Sequence, residues 1–389
     1  MSIHSRPRVA IVTNIIPHYR ADFYRRILAR DDFDCHVFCQ EAIPGANIGT
    51  ADHMFPGRVT ILNVVSAANE RIAWQALPYS RISTNFDMCF IYGNPRVVSS
   101  VLLSWVLRAL RMPVVIWGQA HTAGASLISE QIRLAWWRAF SNVFVYTDAE
   151  VQYLRERGFA QQLILGMNNG LDQTMLDVAG AKWTCARLIE WRRQEGLEQN
   201  VILLSCARLV GKNRFDLVID ALPALLEVDP TLTWCVLGDG PERKQLEGRA
   251  KQRRVAHAIR WKGPLYDEDD LAPWFMSSTL LVHPGAIGLP LLHAFGYGLP
   301  VVTHDDRSQQ MPEIAALRDG TSGVLFRQGD VGSLVETLLG ILRAPAVRSR
   351  LSEAALRTAR EEFNTAVMAE RFSQMVHTIC ERERSTTNA

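Results

Sequence analysis

The chain has 389 residues, 48% hydrophobic and 21% charged. That composition suits a globular protein with two or three cores at roughly 150 residues each, and it excludes a disordered or fibrous chain. Forty-two Lys and Arg against 40 Asp and Glu give a net charge of +2, which argues against a nucleic-acid binder by bulk electrostatics.

Taken in order, short β-rich runs alternate with longer helical patterns. VAIVTN reads as a strand and ADFYRRILAR (21–30) as the helix after it. DCHVFCQ, MCFIYGN, PVVIWGQ and VFVYTD read as further strands, and SSVLLSWVLRALR (99–111) as an amphipathic helix. Turn chemistry at Asn168, Asn169, Gly170, Leu171 and Asp172 breaks the pattern, and a polar helix-prone stretch with Trp183 and Trp191 follows. From Asn200 the cycle restarts: VILLSCA, TLTWCVLGDG, HAIRWKG, TLLVHPG and PVVTHD are strands, with helices between them. This alternation predicts an α/β protein of two Rossmann-like, doubly wound parallel sheets facing a central cleft. The expected domains are 1–180 and 195–365, with a linker near 170–195 and a last helix, about 366–382, packing back on the first domain.

The seven Cys are odd in number and form no CxxC pair, as expected of reduced thiols in a cytoplasmic protein. The start lacks a cleavable apolar stretch. The longest apolar region, 97–117, is broken by Arg108 and Arg111, short of the roughly 20 apolar residues that span a bilayer. No Cys/His set has metal spacing, so no metal and no cofactor are expected.

Ligands of open α/β sheets bind beyond the carboxyl ends of the strands. One such loop, ARLVGKNRFD, carries Arg208, Lys212 and Arg214. Three crowded cations suit a diphosphate, which Arg grips with forked hydrogen bonds and Lys as a point charge. The other reading is a solvated basic loop. In HPGAIGLPLLHAFGYGLPVV, Gly285 and Gly288 permit close backbone approach, and a helix begins near Leu289, with Pro290 in its first turn and Gly298 at its end. Its free N–H groups form an anion site. The plain alternative is an ordinary helix start. GDGPER (238–243) lacks GxGxxG spacing, which counts against a nicotinamide enzyme, and Asp239 is expected to cap the next helix. Trp136, Trp137, Arg133 and Arg138, with a second cluster at Lys251, Arg253 and Arg254, suit either peripheral membrane attachment or a helix that buries its Trp residues beside a solvated basic face.

The order IPHYRADFYRRIL, GNPR, VIWGQAH, NNGLD, ARLVGKNRFDLVIDAL, VLGDGPER, KGPLYDEDDLAPWF and HPGAIGLPLLHAFGYGLPVV, followed by PEI and DGTSGVLF, resembles family 4 of the retaining glycosyltransferases, which have the GT-B architecture. The resemblance implies a nucleotide-sugar donor, UDP- or GDP-linked, in the second domain. It implies a glycan or polyprenol-linked acceptor in the first, metal-independent hexosyl transfer, and a role in surface polysaccharide or lipopolysaccharide synthesis at the inner face of the membrane. The family's Arg falls on Arg208. Its Lys falls on Asn213, one place after Lys212. Its paired glutamates fall on Gly285 and His293, so both are absent. His293 is expected to replace the ribose-binding Glu, with Asn213, Ile287, Gly288, Leu289 and Leu265 lining the donor site and Gly285 offering backbone alone. Arg208, Lys212 and His121 are the expected catalytic residues. His18, Arg20 and Asn94 are expected on the acceptor side or in the cleft. The missing glutamates leave open a non-catalytic protein of this fold that binds nucleotide or a partner, and a second rival is another enzyme of this fold, such as a sugar-nucleotide epimerase.

Overall fold

A computed structural model describes residues 6–42, 49–67, 72–121, 124 and 126–387. Two compact units emerge, residues 1–172 with 365–389, and residues 173–364. Each is a parallel α/β sheet.

Unit one contains β1 (Arg8–Val12), β2 (Asp34–Gln40), β3 (Val59–Leu62), the hairpin β4 (Val64–Ala67) and β5 (Ile72–Gln75), then β6 (Met88–Tyr92), β7 (Val114–Gly118), β8 (Asn142–Val145) and β9 (Leu163–Gly166). Its seven-stranded sheet runs β3-β2-β1-β6-β7-β8-β9. Unit two contains β10 (Ile202–Cys206), β11 (Thr233–Leu237), β12 (Ile259–Gly263), β13 (Leu280–His283), β14 (Val301–His304) and β15 (Gly323–Phe326), ordered β12-β11-β10-β13-β14-β15. Central strands such as VVIWG and LLVH are buried along their whole length. Helices cover both faces of a doubly wound sheet, so its strands read as continuous apolar runs without alternation. In each unit the strand order reverses beside the first strand, between β1 and β6 and between β10 and β13. Such switch points open a crevice at the carboxyl ends of the strands.

One face of the first sheet packs an aromatic core of Phe23, Phe33, Phe90, Trp117 and Phe144 around Phe372, whose ring centroid lies 4.4 Å from that of Phe90. Phe372 belongs to the final helix, Thr365–Thr387. The opposite face buries Trp136 and Trp137. Their indole N–H groups donate to Ser104 Oγ at 3.1 Å and to the Gly93 carbonyl at 3.1 Å. These indoles are therefore interior, and the membrane reading of that patch loses its aromatic part. In the stretch between the two sheets, helices Gln173–Ala181 and Cys185–Gln194 pack on helix Glu268–Ser277 of unit two. Asp239 turns out not to cap a helix: its carboxylate accepts from the adjacent Gly240 N–H at 2.7 Å, and Glu242 is the N-cap of helix Arg243–Gln252.

Candidate functional site

In unit two the loops after β10, β12, β13 and β14 share the carboxyl edge of the sheet. Arg208 and Lys212 lie exposed on the first of them. Neither forms an ion pair among the described residues. Arg214, the third cation of that loop, is neutralised by Asp216 at 3.0 Å. Two cations therefore remain for a ligand. Asn213 is buried, and its amide donates to the Arg208 carbonyl at 2.7 Å. That corrects its expected place as a donor ligand, because it closes the loop that presents Arg208.

The loop after β13 answers the question of the absent acid. A Cβ on Gly285 would lie 2.0 Å from the Lys212 carbonyl oxygen and 2.6 Å from Asn213 Cα. The Ala286 N–H donates to that same carbonyl at 3.2 Å, and the Gly285 carbonyl faces His283 Nδ1 at 3.3 Å. The glycine is needed for the approach of the chain's own loop, so position 285 has no room for a carboxylate side chain. Like Asn213, Ile287 is corrected. Its side chain is fully buried, and its N–H donates to Gln310 Oε1 at 2.8 Å. The helix beginning at Leu289 carries Pro290 in its first turn. The Leu291 N–H turns back to the Gly288 carbonyl, and the N–H groups of Gly288 and Leu289 take no partner among the described residues. They form the positive end of a helix beside a loop bearing two exposed cations, an arrangement suited to a diphosphate.

His293, on the same helix, does not stand alone. Phe275 stacks on its ring at 4.4 Å and 16°. This holds Nε2 against Glu268 Oε1 at 2.8 Å, and the Tyr297 hydroxyl donates to the same oxygen at 2.6 Å. Burial alone would raise the Glu268 carboxyl, but the His293 and Tyr297 hydrogen bonds more than reverse this and hold it below its ordinary value. Glu268 was missed from the sequence. Its signal was the acidic DEDD run at 267–270, directly after Leu265 and Tyr266. Leu265 is half-buried beside it, and Tyr266 is 89% exposed.

In unit one, Arg20 is buried, with Nη2 donating to Asn169 Oδ1 at 3.0 Å. His18 is exposed, its ring 5.9 Å from that of His53. Asn94 lines a hollow with Tyr92, Arg96 and Gln119, and its side-chain Oδ1 accepts from the Arg96 N–H at 3.1 Å. His121 is half-buried, its Nδ1 3.5 Å from Glu130 Oε2. Its backbone N–H donates at 3.2 Å to Glu150, a carboxylate that also accepts from Ala120 and Tyr146 and so pins two strand ends together.

Residues 189–358, within unit two, match the family model described as Glycosyl transferases group 1. A D-inositol 3-phosphate glycosyltransferase of Frankia alni is 31% identical over 179 residues, 42% of this chain and 42% of that one. The chain thus aligns with less than half the length of that relative. Among solved structures, Anabaena Alr3699/HepE in complex with UDP has a TM-score of 0.71 at 16% identity, covering 96% of this chain and 100% of that one. The lipopolysaccharide outer core galactosyltransferase WaaB in its apo form has a TM-score of 0.65 at 14% identity, covering 95% and 99%. At these identities the two structures establish the shared GT-B fold.

Proposed function

We propose that the chain is a retaining glycosyltransferase that moves a hexosyl group from a UDP- or GDP-sugar to a glycan or lipid-linked acceptor in surface polysaccharide synthesis. One observation carries this. The loop bearing Arg208 and Lys212, both without carboxylate partners among the described residues, touches the loop that leads into helix Leu289–Gly296. A diphosphate held there is gripped by two cations and by helix N–H groups. As a leaving group it develops charge in the transition state, where one well-placed donor is typically worth ~3 kcal/mol. No metal is needed for such a grip. In a front-side mechanism the departing phosphate oxygen takes the acceptor proton, so the chemistry does not depend on a carboxylate at position 285. Positioning and charge stabilisation do the rest.

The Glu268–His293 pair takes the ribose role expected of His293 alone: Glu268 is the acceptor for sugar hydroxyls, and His293 and Tyr297 orient it. Leu265 edges the base. In unit one, His121 as a catalytic residue and His18, Arg20 and Asn94 as acceptor-side or cleft residues lie on loops at the carboxyl edge of the sheet. No described helix is long and apolar enough to cross a membrane. A lipid-linked acceptor would be met at the membrane surface, for which the exposed Lys251 and Arg254 supply charge, while Arg253 is paired with Asp220 at 2.9 Å.

The closed space at Gly285 favours one rival, a non-catalytic nucleotide-binding protein. Calorimetric titration with UDP, GDP, dTDP and their sugar conjugates, with wild type beside Arg208→Ala, tests the proposal. Micromolar binding of one nucleotide, lost in the variant, supports the site, and no binding by any nucleotide refutes it. Turnover of the bound sugar nucleotide only when a saccharide acceptor is present separates transfer from mere binding. Conversion with no acceptor, seen by NMR, would instead identify an epimerase.

A further inference from the structure

Unit one encloses a cavity of about 160 Å³ at the carboxyl end of β1, lined by Thr13, Asn14, Arg20, Tyr92, Trp117 and Tyr146. Arg20 is 8% exposed. One of its terminal nitrogens is committed to Asn169, and its guanidinium carbon lies 4.8 Å from the centroid of the Tyr146 ring. No carboxylate pairs with it among the described residues, and its Nε–H has no acceptor. In the same wall the indole Nε1–H of Trp117, a residue 4% exposed, also has no acceptor.

A buried cation without a counter-charge is among the costliest features a fold can retain. Stacking on a tyrosine recovers part of that cost, and a buried indole N–H ordinarily finds a partner. Finding both donors in one wall is not explained by packing. Burial pushes the Tyr92 and Tyr146 hydroxyls up, so they stay neutral and do not repel an anion.

We propose that this cavity binds an oxyanion, a carboxylate or a phosphate, whose oxygens accept from Arg20 Nε–H and Trp117 Nε1–H, with the aromatic rings against the carbon skeleton that carries it. Resting on the glycosyltransferase reading, this makes the acceptor an acidic one: a sugar acid or a phosphorylated saccharide or polyol. A guanidinium fork suits either oxyanion. The neutral hydroxyls of an ordinary hexose leave the buried charge uncompensated.

The test is calorimetric titration of the full chain with D-glucose 6-phosphate, D-glucuronate and D-glucose. Wild type is compared with Trp117→Phe, Arg20→Lys and Arg20→Gln, and UDP is titrated into each. The expected result is a preference of about tenfold or more for a charged ligand over glucose, with the tighter of the two naming phosphate or carboxylate. Trp117→Phe should reduce that preference several-fold with glucose unaffected. Arg20→Gln should abolish it, and Arg20→Lys should retain part. If Arg20→Gln fails to fold, Trp117→Phe carries the test: it removes the N–H with part of the ring, so a lowered melting temperature is expected, and a wild-type circular dichroism spectrum with a cooperative melt certifies the fold. Equal binding of charged and neutral sugars overturns the proposal, as does a preference that survives Trp117→Phe. UDP binding without any charge preference overturns this site alone. A wild type that binds no nucleotide overturns the transferase reading, and a charge preference would then remain as a site unconnected to an acceptor.

Discussion

Replacing Gly285 by Ala is the most direct test of the close approach at the head of the candidate donor site. The added Cβ would meet the Lys212 carbonyl oxygen at 2.0 Å, where ordinary van der Waals contact begins at 3.4 Å, so the loop must retreat by about 1.4 Å. That loop is tied by Asn213 Nδ2 to the Arg208 carbonyl at 2.7 Å and by the Ala286 N–H to the Lys212 carbonyl at 3.2 Å. Overpacking of this kind costs about 1–3 kcal/mol, and each hydrogen bond broken adds about 1 kcal/mol. A loss near 3 kcal/mol is expected, a large share of a typical domain's stability. Denaturant unfolding of Gly285→Ala should show a lowered midpoint at unchanged slope. Nucleotide affinity should fall as well, because the displaced backbone carries Lys212. Gly285→Glu should be worse, with a further fall in stability and in nucleotide affinity. A Gly285→Ala protein with the wild-type midpoint and wild-type nucleotide affinity would refute the reasoning.

Arg208→Ala should weaken nucleotide binding about tenfold or more with an unchanged melting temperature, since Arg208 is exposed and unpaired. Equal affinity by calorimetry would remove it from the site. Glu268→Gln should reduce affinity for UDP more than for 2′-deoxy-UDP; an equal effect on both would detach Glu268 from the ribose. Burial holds the His283 imidazole down at about 4, against 6.5 when exposed. The unfolded chain therefore takes up a proton first as pH falls, and unit two should lose stability between about pH 6.5 and 4, by roughly 3 kcal/mol in all. His283→Leu should flatten that slope, as read from urea unfolding across the range. Phe372→Ala should cost unit one about 3–5 kcal/mol while leaving UDP affinity unchanged. Loss of UDP binding in that variant would argue that the two units do not fold independently.

Much of the architecture was legible because buried parallel strands carry their pattern locally. VVIWG and LLVH are apolar whatever lies around them, and Pro290 and Gly298 punctuate a helix through backbone chemistry alone. The candidate site was legible only in outline. Sequence placed Arg208, Lys212 and the helix start in neighbouring loops. It could not show that Asn213 turns inward, that Asp216 neutralises Arg214, or that the Lys212 carbonyl fills the space beside Gly285. Those facts depend on side-chain direction and on contact between segments about 70 residues apart. His293 was found by position, but its partner was not, because Glu268 belongs to another helix and only tertiary packing brings the two within 2.8 Å. Arg20 was singled out as a cation in a loop, and its burial beside Trp117 has no trace in local sequence.

The final helix has a consequence for the order in which this protein is made. Phe372 sits at the centre of the aromatic core of unit one, yet its codon is translated after all of unit two. A ribosome making this chain releases a first sheet that still lacks its central ring, while unit two lies in one uninterrupted stretch. Domains generally fold as units during synthesis. The later-made unit is thus the one able to finish first, and the earlier-made sheet waits with an apolar face uncovered until the last helix leaves the exit tunnel. Chaperone capture during synthesis should concentrate on that face and end when residues near 372 emerge.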